Sequence, residues 1–342
     1  PIYDSPRSVL EESADLYGGS LVVVNVVDWN GDGALDIVAG NSCGYLLVYE
    51  NHGTNDKPRF SPGKRIEAGG EPVLIQGEYR GSIQGPGESH WGYTSPCVVD
   101  WNGDGLPDIV MNDIRGMHTV YLNRGTKTEP KLALPAPLRA DGLAIHGTWR
   151  TRPAAGMLGD RMAYVTLDDD DQVHLWWKID DYNLEDGGKL RLTDSSPIQA
   201  NYLKAGGEGR AKFQLIDWDG DGKTDLIVGT PRHATFPDPK HGIPNKAGAS
   251  VLWLRNVGSN DKPVYEMPAL MMLDGKPAYF GQHECSAVAT TLGGGGPNIV
   301  VGDELGRMYF CNHKNISWKP LEPATGATQS QAPSNSPAEH DE

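Results

Sequence analysis

The chain has no apolar run approaching the ~20 residues a membrane-spanning helix requires, so no helical membrane insertion is expected of it. Cysteine is scarce. Cys43, Cys97, Cys285 and Cys311 show no CxxC or Cys/His spacing, which argues against a zinc site. They read as buried small residues, a bridge between two of them being the alternative. Positive charge is also in short supply: 30 Lys and Arg against 45 Asp and Glu give a formal net charge of −15. That balance argues against nucleic acid and against an anionic membrane surface as partners. The sequence opens at Pro1 with neither an initiator Met nor a signal segment, which reads as a processed or excised product.

Glycine and proline are plentiful, 43 and 25 respectively, beside 38% hydrophobic residues, a composition of many short strands and turns. A length of 342 residues suits one large β-domain or two smaller ones. Three copies of one acidic loop organise the chain, Asp28 to Asp36, Asp100 to Asp108 and Asp217 to Asp225. Oxygen-bearing side chains recur at positions 1, 3, 5 and 9: Asp28, Asn30, Asp32 and Asp36; Asp100, Asn102, Asp104 and Asp108; Asp217, Asp219, Asp221 and Asp225. Glycine fills positions 4 and 6, and position 7 varies, as expected if its backbone carbonyl is a ligand. Alternate oxygens wrapped by glycines are the layout of a calcium loop, so three structural Ca2+ sites are expected. Metal-free Asp/Gly turns are the bland alternative. Apolar runs flank each loop, which indicates a β-hairpin rather than the helices of an EF-hand.

A second marker follows each loop: Asn51-His-Gly to Pro58, Asn123-Arg-Gly to Pro130, and Asn256-Val-Gly to Pro263. Loop start and marker lie 23 residues apart in the first two copies and 39 in the third. Two degenerate copies, Ala154 to Trp177 and Ser286 to Cys311, complete five units at a pitch of about 65 residues. Four antiparallel strands repeated at that pitch predict an all-β fold, a β-propeller of four-stranded blades with five repeats visible. The repeats fall near 20–93, 94–148, 149–205, 206–282 and 283–321, so the propeller occupies 1–321. The Ser/Pro/Gln/Ala-rich stretch 322–342 is expected to be a disordered tail.

In its acidic loops and repeat order the chain resembles the FG-GAP/VCBS calcium-loop propellers, which include integrin α-subunit heads and several polysaccharide lyases. The resemblance covers roughly residues 20 to 320. It implies Ca2+ as cofactor, and rings of that family usually have seven blades. The chain is then either five-bladed or part of a seven-bladed ring, in which case a protein partner could complete it. Residues 1–19 or Trp318 to Leu321 could supply the last strand of a closed ring. Calcium of millimolar extracellular concentration fills such loops, so a secreted, periplasmic or cell-surface location is expected.

In an antiparallel blade the acidic loops share one face with the Asn-x-Gly turns, and the opposite face gathers connectors and second-to-third-strand turns. On that metal-free face fall the candidate proton-transfer residues His90, Tyr93 and His233, and the candidate ligand-binding residues Trp91, Arg115, Trp149, Arg150, Arg152, Arg210 and His283. Arg holds carboxylates in bidentate fashion and Trp stacks on a pyranose, so the set suits an acidic polysaccharide or oligosaccharide. A Tyr near Arg should ionise more readily than usual. Arg150 and Arg152 could equally be solvated surface residues. Asp168 to Asp171 reads as an exposed acidic turn or an extra metal site. His118 and His174 read as structural, and Trp29, Trp101 and Trp218 as packing wedges between blades. The insertion Pro231 to Gly248 should project over the metal-free face.

Similarity to the propeller lyases that cleave ulvan or split rhamnose from glucuronate implies β-elimination on a uronate. His90 or Tyr93 matches the first His of those enzymes, whereas Asn112-Asp113 replaces the second and Trp149-Arg150 stands at the third place. The expected function is a carbohydrate-active propeller, a lyase by this likeness. The alternative is a non-catalytic carbohydrate- or protein-binding propeller of a surface or adhesion complex. A hydrolase would need a carboxylate pair, for which Glu88, Glu284 and the Asp168 run are available.

Overall fold

An apolar Ile-Val or Leu-Ile-Val run follows the aspartate that opens the second strand of each acidic-loop repeat, and the strands Asp36–Gly40, Asp108–Asn112 and Asp225–Thr230 are buried throughout. A strand covered on both faces must lie in a sheet sandwiched between two others, and five sheets are arranged in this way as the blades of a five-bladed propeller. The structure, a computed structural model, describes residues 7–8, 16–82, 85–200, 209–232 and 248–321. The expected tail 322–342, His233 and most of the Pro231 to Gly248 insertion lie outside the described residues.

Blade 1 comprises Val23–Val27, Asp36–Gly40, Leu46–Tyr49 and Lys64–Arg65. Blade 2 comprises Ser95–Val99, Asp108–Asn112, His118–Tyr121 and Ala136–Pro137. Blade 3 is built from Ala154–Leu158, Arg161–Leu167, Val173–Lys178 and Asn183–Lys189, and blade 4 from Lys212–Ile216, Asp225–Thr230, Ser250–Leu254 and Ala269–Leu273. Blade 5 takes three strands from the end of the propeller, Cys285–Thr290, Asn298–Asp303 and Met308–Cys311. Its fourth comes from the beginning of the chain: Arg7 pairs with Phe310 and Ser8 with Tyr309. The other candidate for that place, around Trp318, instead adds Ile316–Pro320 to the outer edge of blade 4, with Trp318 opposite Met271.

Neighbouring blades are also latched at their rims. The hairpin after blade 2 leaves its own sheet, and Arg139 and Ala140 pair in parallel with Asn183 and Leu184 of blade 3. Arg191 and Leu192 pair in the same way with Val264 and Tyr265 beside blade 4. The apolar core is correspondingly divided into layers between blades, with Val38 and Met111 in one, Val110 and Tyr164 in the next, and Val165 and Phe213 in a third. The loop tryptophans enter these layers from the acidic face. Trp29 and Trp101 are 6% and 1% exposed, and the Trp101 indole N–H donates to the Asp181 carbonyl of blade 3 at 2.9 Å. Trp218 packs edge-on against Trp318 at 5.4 Å. Cys97, Cys285 and Cys311 are buried, whereas Cys43 is exposed in the turn after the second strand of blade 1, so the reading of all four as buried holds for three.

His118 is fully buried on its strand, beside the Tyr164 hydroxyl at 2.6 Å and Asn112 Nδ2 at 3.3 Å. Burial, helped by His146, pushes its pKa down to about 3 from an ordinary 6.5.

Two outcomes are expected. Trp101→Ala should cost about 3–5 kcal/mol in chemical denaturation, because it empties a wedge between blades and orphans a carbonyl. As pH falls from about 6.5 towards 3, the unfolded chain protonates His118 before the folded one does, so stability should be lost progressively over that range from this group. His118→Gln should flatten that part of the acid denaturation profile relative to wild type.

Candidate functional site

Four of the five connectors entering the first strands share an unusual backbone. Leu21, Tyr93, Arg150 and Arg210 adopt positive φ of 55°, 46°, 57° and 60°. Each stands two residues before the position that begins or aligns with a first strand, Val23, Ser95, Arg152 and Lys212. Residues with a Cβ avoid this region, and such strain concentrates where side chains are aimed for function. Tyr93 and Arg150 meet: the Arg150 guanidinium lies 3.7 Å from the Tyr93 ring centroid and 3.9 Å from that of Trp149. Tyr93 and Trp149 are themselves edge to face at 5.4 Å.

A short turn of helix, Pro86–Glu88, in the connector into blade 2 brings Glu88 to this group. Its carboxylate accepts from the Tyr93 hydroxyl at 2.8 Å and stands 3.7 Å from Arg150 Nη2. On the blade 4 side, the buried Lys212 ammonium donates to the Arg150 carbonyl at 2.7 Å and pairs with Glu284 Oε1 at 3.1 Å. Burial lowers the pKa of Lys212 and of Arg150, opposed in both by Glu284. Burial raises the Tyr93 phenol well above its ordinary value. Arg150 lowers it without offsetting burial, and Glu88 adds to the rise. The expectation that Arg150 would make Tyr93 easier to ionise is therefore reversed: a phenol taken out of water and bonded to a carboxylate stays neutral. Among the described residues, the buried Trp149 Nε1, Arg150 Nε, Thr151 Oγ1 and Glu284 Oε2 have no hydrogen-bond partner here.

The sequence-predicted residues thus divide. Tyr93, Trp149 and Arg150 come together, and Trp91 is 39% exposed with its ring 6.2 Å from that of Tyr93. Arg210 contributes its charge to both Arg150 and Lys212. His90 and His283 are exposed at their connectors. The Arg115 guanidinium is taken up by Asp113, to which Nε donates at 3.1 Å and 3.2 Å, and no contact links it to Arg150 among the described residues. His233 lies outside the described residues.

Arg152 is neither solvated nor open to a ligand. It is 3% exposed, and its Nε, Nη1 and Nη2 donate to the Pro96 carbonyl, the Phe213 carbonyl and Asn25 Oδ1 at 3.1, 2.9 and 2.7 Å. Its donors close the ring of first strands instead. Lys212 was not a sequence candidate, because it begins a strand and its burial follows only from the neighbouring blade. Spacing could have flagged it, since it stands two residues after Arg210 as Arg152 stands after Arg150.

On the opposite face each acidic loop is tied to its own Asn-x-Gly turn. Asp36 Oδ2 accepts from the Trp29 amide at 3.0 Å and Oδ1 from the Asn51 amide at 2.7 Å. Asp108 does the same for Trp101 and Asn123 at 3.0 and 2.6 Å, and Asp225 for Trp218 and Asn256 at 3.3 and 2.7 Å. The ninth position is therefore a staple whatever else it holds. The donor set otherwise fits a hard cation: all ligating atoms are oxygens, Asp28 Oδ1 is buried without a partner, and oxygens of Asp217, Asp219 and Asp221 lie within 4.8 Å of one another. Loop three differs from the others in that the Arg255 guanidinium reaches it, Nε to Asp219 at 2.6 Å and Nη2 to Asp221 at 3.2 Å.

No protein-family model matches this chain, and no curated protein matches it in sequence. Among solved structures it is similar in fold to a lectin from Agrocybe aegerita that recognises non-reducing terminal N-acetylglucosamine. The two share 15% identity at a TM-score of 0.35, covering 89% of this chain and 81% of the lectin. It is also similar to a β-fructofuranosidase from Aspergillus kawachii, with 11% identity and a TM-score of 0.47, covering 87% of this chain and 53% of that one.

Proposed function

We propose that this chain is a carbohydrate-binding propeller whose central site, on the face opposite the acidic loops, receives a uronate-bearing glycan. The observation that carries the reading is Arg150, buried between two aromatic rings with no partner for its Nε among the described residues. A guanidinium held rigid by stacking loses little freedom on gripping a carboxylate, and a dry setting strengthens the charge-assisted bond. Trp149 Nε1 and Thr151 Oγ1 beside it are likewise buried and without a partner among the described residues. Trp91 offers an exposed ring at the edge for stacking.

A lyase acting on the same ligand is the second reading, favoured by the Tyr93–Glu88 bond. A phenol kept neutral is suited to protonate the departing O4, with Arg150 neutralising the uronate carboxylate. The base that removes the C5 proton would then have to be His90 or His233. Recognition needs no such group, which places binding first.

Calcium in the three acidic loops is part of the proposal and brings the chain into line with the FG-GAP/VCBS resemblance. Positions 1, 3, 5 and 9 would hold the ion, and its charge would relieve the crowded carboxylates. In loop three it would have to displace Arg255, so that loop should bind most weakly.

The central site is tested by calorimetric titration with uronate oligosaccharides and their carboxyl-reduced analogues. Binding should require the carboxylate, and Arg150→Ala should weaken it at least ~10-fold, the value of about one charge-assisted hydrogen bond. Equal affinity for the reduced analogue would overturn the assignment. Growth of absorbance near 235 nm on the same substrates would decide for the lyase, its absence for recognition. For the loops, chelation should lower the melting temperature, since an ion at about 100 times its Kd adds ~2.7 kcal/mol to the folded state. Asp32→Ala and Asp104→Ala should abolish most of that sensitivity at their own loops, and Arg255→Ala should tighten the weakest calcium-binding step.

A further inference from the structure

We propose that the groove between blades 2 and 3 is a second ligand site, for an amine-bearing sugar. The groove has a volume of about 480 Å³, within the range of small-molecule sites, and is lined entirely by described residues. It draws on none of the central residues. One wall is a face of blade 3, where Thr166 lies opposite His174 and His174 opposite Lys189. Cross-strand partners point to the same side of a sheet, so Thr166, His174 and Lys189 all project into the groove. The other wall is the displaced hairpin after blade 2, which presents Leu143, 75% exposed.

Two independent features point to a ligand. The first is charge. Aspartates 141, 168, 169, 170 and 186 line the groove against Lys189 and His174. Lys189 pairs with Asp168 at 3.2 Å and Asp170 at 2.8 Å, and His174 lies between Asp168 at 3.4 Å and Asp186 at 2.8 Å. Burial works against protonation of His174, but its bonds to the two carboxylates together outweigh it and raise its pKa. Even counting Lys189, His174 and the lining His146 all as cations, the five carboxylates remain in excess. The second feature is an orphan: Thr166 is 1% exposed, lines the groove, and its hydroxyl has no partner. Trp176 Nε1, on the same wall, is likewise buried and unpartnered, its indole stacked on His174 at 4.4 Å.

These groups ask for different things of one ligand. The surplus carboxylates require a cation, while an uncharged hydroxyl and an indole N–H require neutral polar atoms close to it. A lysine side chain would satisfy the first and set methylenes against the second. A metal ion is disfavoured because Asp168 and Asp186 meet opposite nitrogens of one imidazole and so cannot close around a single centre. An aminated pyranose supplies an ammonium, neighbouring hydroxyls and a C–H face for Leu143.

The test is titration of the whole chain with a glucosamine tetramer, its N-acetylated counterpart and Nα-acetyl-lysine methylamide, followed by calorimetry and by tryptophan fluorescence. The amine tetramer should bind with a Kd on the order of 1 mM or tighter. Acetylation should abolish that binding, and added salt should weaken it. Thr166→Val, which keeps shape and strand preference, should reduce affinity about 3- to 10-fold with a melting temperature that does not fall. Asp169→Asn with Asp170→Asn should reduce it further, and Arg150→Ala should leave it intact, which separates this site from the central one. Equal binding of the acetylated tetramer, preference for the lysine derivative, indifference to Thr166→Val, or no binding of the amine tetramer at about 10 mM would each overturn the proposal.

Discussion

The ring closes around a set of sheet edges, the first strands of its blades. Every blade turns its first strand inward, and the inward edge of a first strand carries amide and carbonyl groups outside its own sheet's ladder, of which backbone bonds such as Phe213 N–H to the Arg152 carbonyl satisfy some. Arg152 meets this constraint from blade 3 by donating to carbonyls of blades 2 and 4 and to Asn25 of blade 1. Asn25 in turn donates to the same Pro96 carbonyl and accepts from the Val98 amide. Gln214 of blade 4 exchanges two bonds with the backbone of Ala289 in blade 5, and Ser286 of blade 5 accepts from the Val24 amide of blade 1. Side chains thus do in the channel what a further strand would do elsewhere. Burying the guanidinium costs several kcal/mol, which its three sets of bonds offset only while all the acceptors stay in place. Closure is therefore cooperative: a blade that drifts outward leaves a charge and several carbonyls unpaired together.

At the rim a different device repeats. The aspartate at the ninth loop position starts the second strand and holds both the loop's tryptophan and the marker asparagine that follows the third strand. That asparagine then accepts from two amides of its own turn, as Asn51 does from Gly53 and Arg59. The fixed 23-residue interval between loop and marker is explained by this hydrogen-bonded pair, and an insertion between second and third strands, as in blade 4, can lengthen the interval without disturbing it. Blade 5 keeps the device in reduced form. Asn298 occupies the aspartate's place and accepts from the His313 amide, while its own amide holds the Leu292 and Gly294 carbonyls.

The blades were legible in the sequence because these devices are local. Loop, marker and apolar run recur within one repeat, so the strands and the two faces could be read from spacing. Ring closure was not legible, because both Arg7–Ser8 and the segment around Trp318 are extended pieces of the right length, and only the partner edges distinguish them. The site was half legible. Connector positions named Tyr93, Trp149 and Arg150, but the same logic named Arg115 and Arg152, whose donors are consumed by Asp113 and by the channel. Nothing in the spacing of an arginine tells whether an acceptor two residues away or two blades away will claim it. The sign of the Tyr93 shift failed for a related reason: proximity to a cation is visible in a sequence, whereas loss of solvent is not.

The chemistry of the central site is a consequence of the closure rather than an addition to it. Lys212 starts the inner strand of blade 4 as Arg152 does in register for blade 3, yet its ammonium turns to the Arg150 carbonyl and to Glu284. That bond pins the backbone of a residue held at positive φ, and so fixes where the Arg150 side chain emerges between Tyr93 and Trp149. A strained residue persists only where its surroundings over-determine it. Here the surroundings are a buried ammonium–carboxylate pair from the next two blades and two aromatic rings from its own connector and the preceding one. The same inward-facing residues that keep the ring shut therefore hold the Arg150 cation in one orientation, with a buried nitrogen that has no hydrogen-bond partner among the described residues.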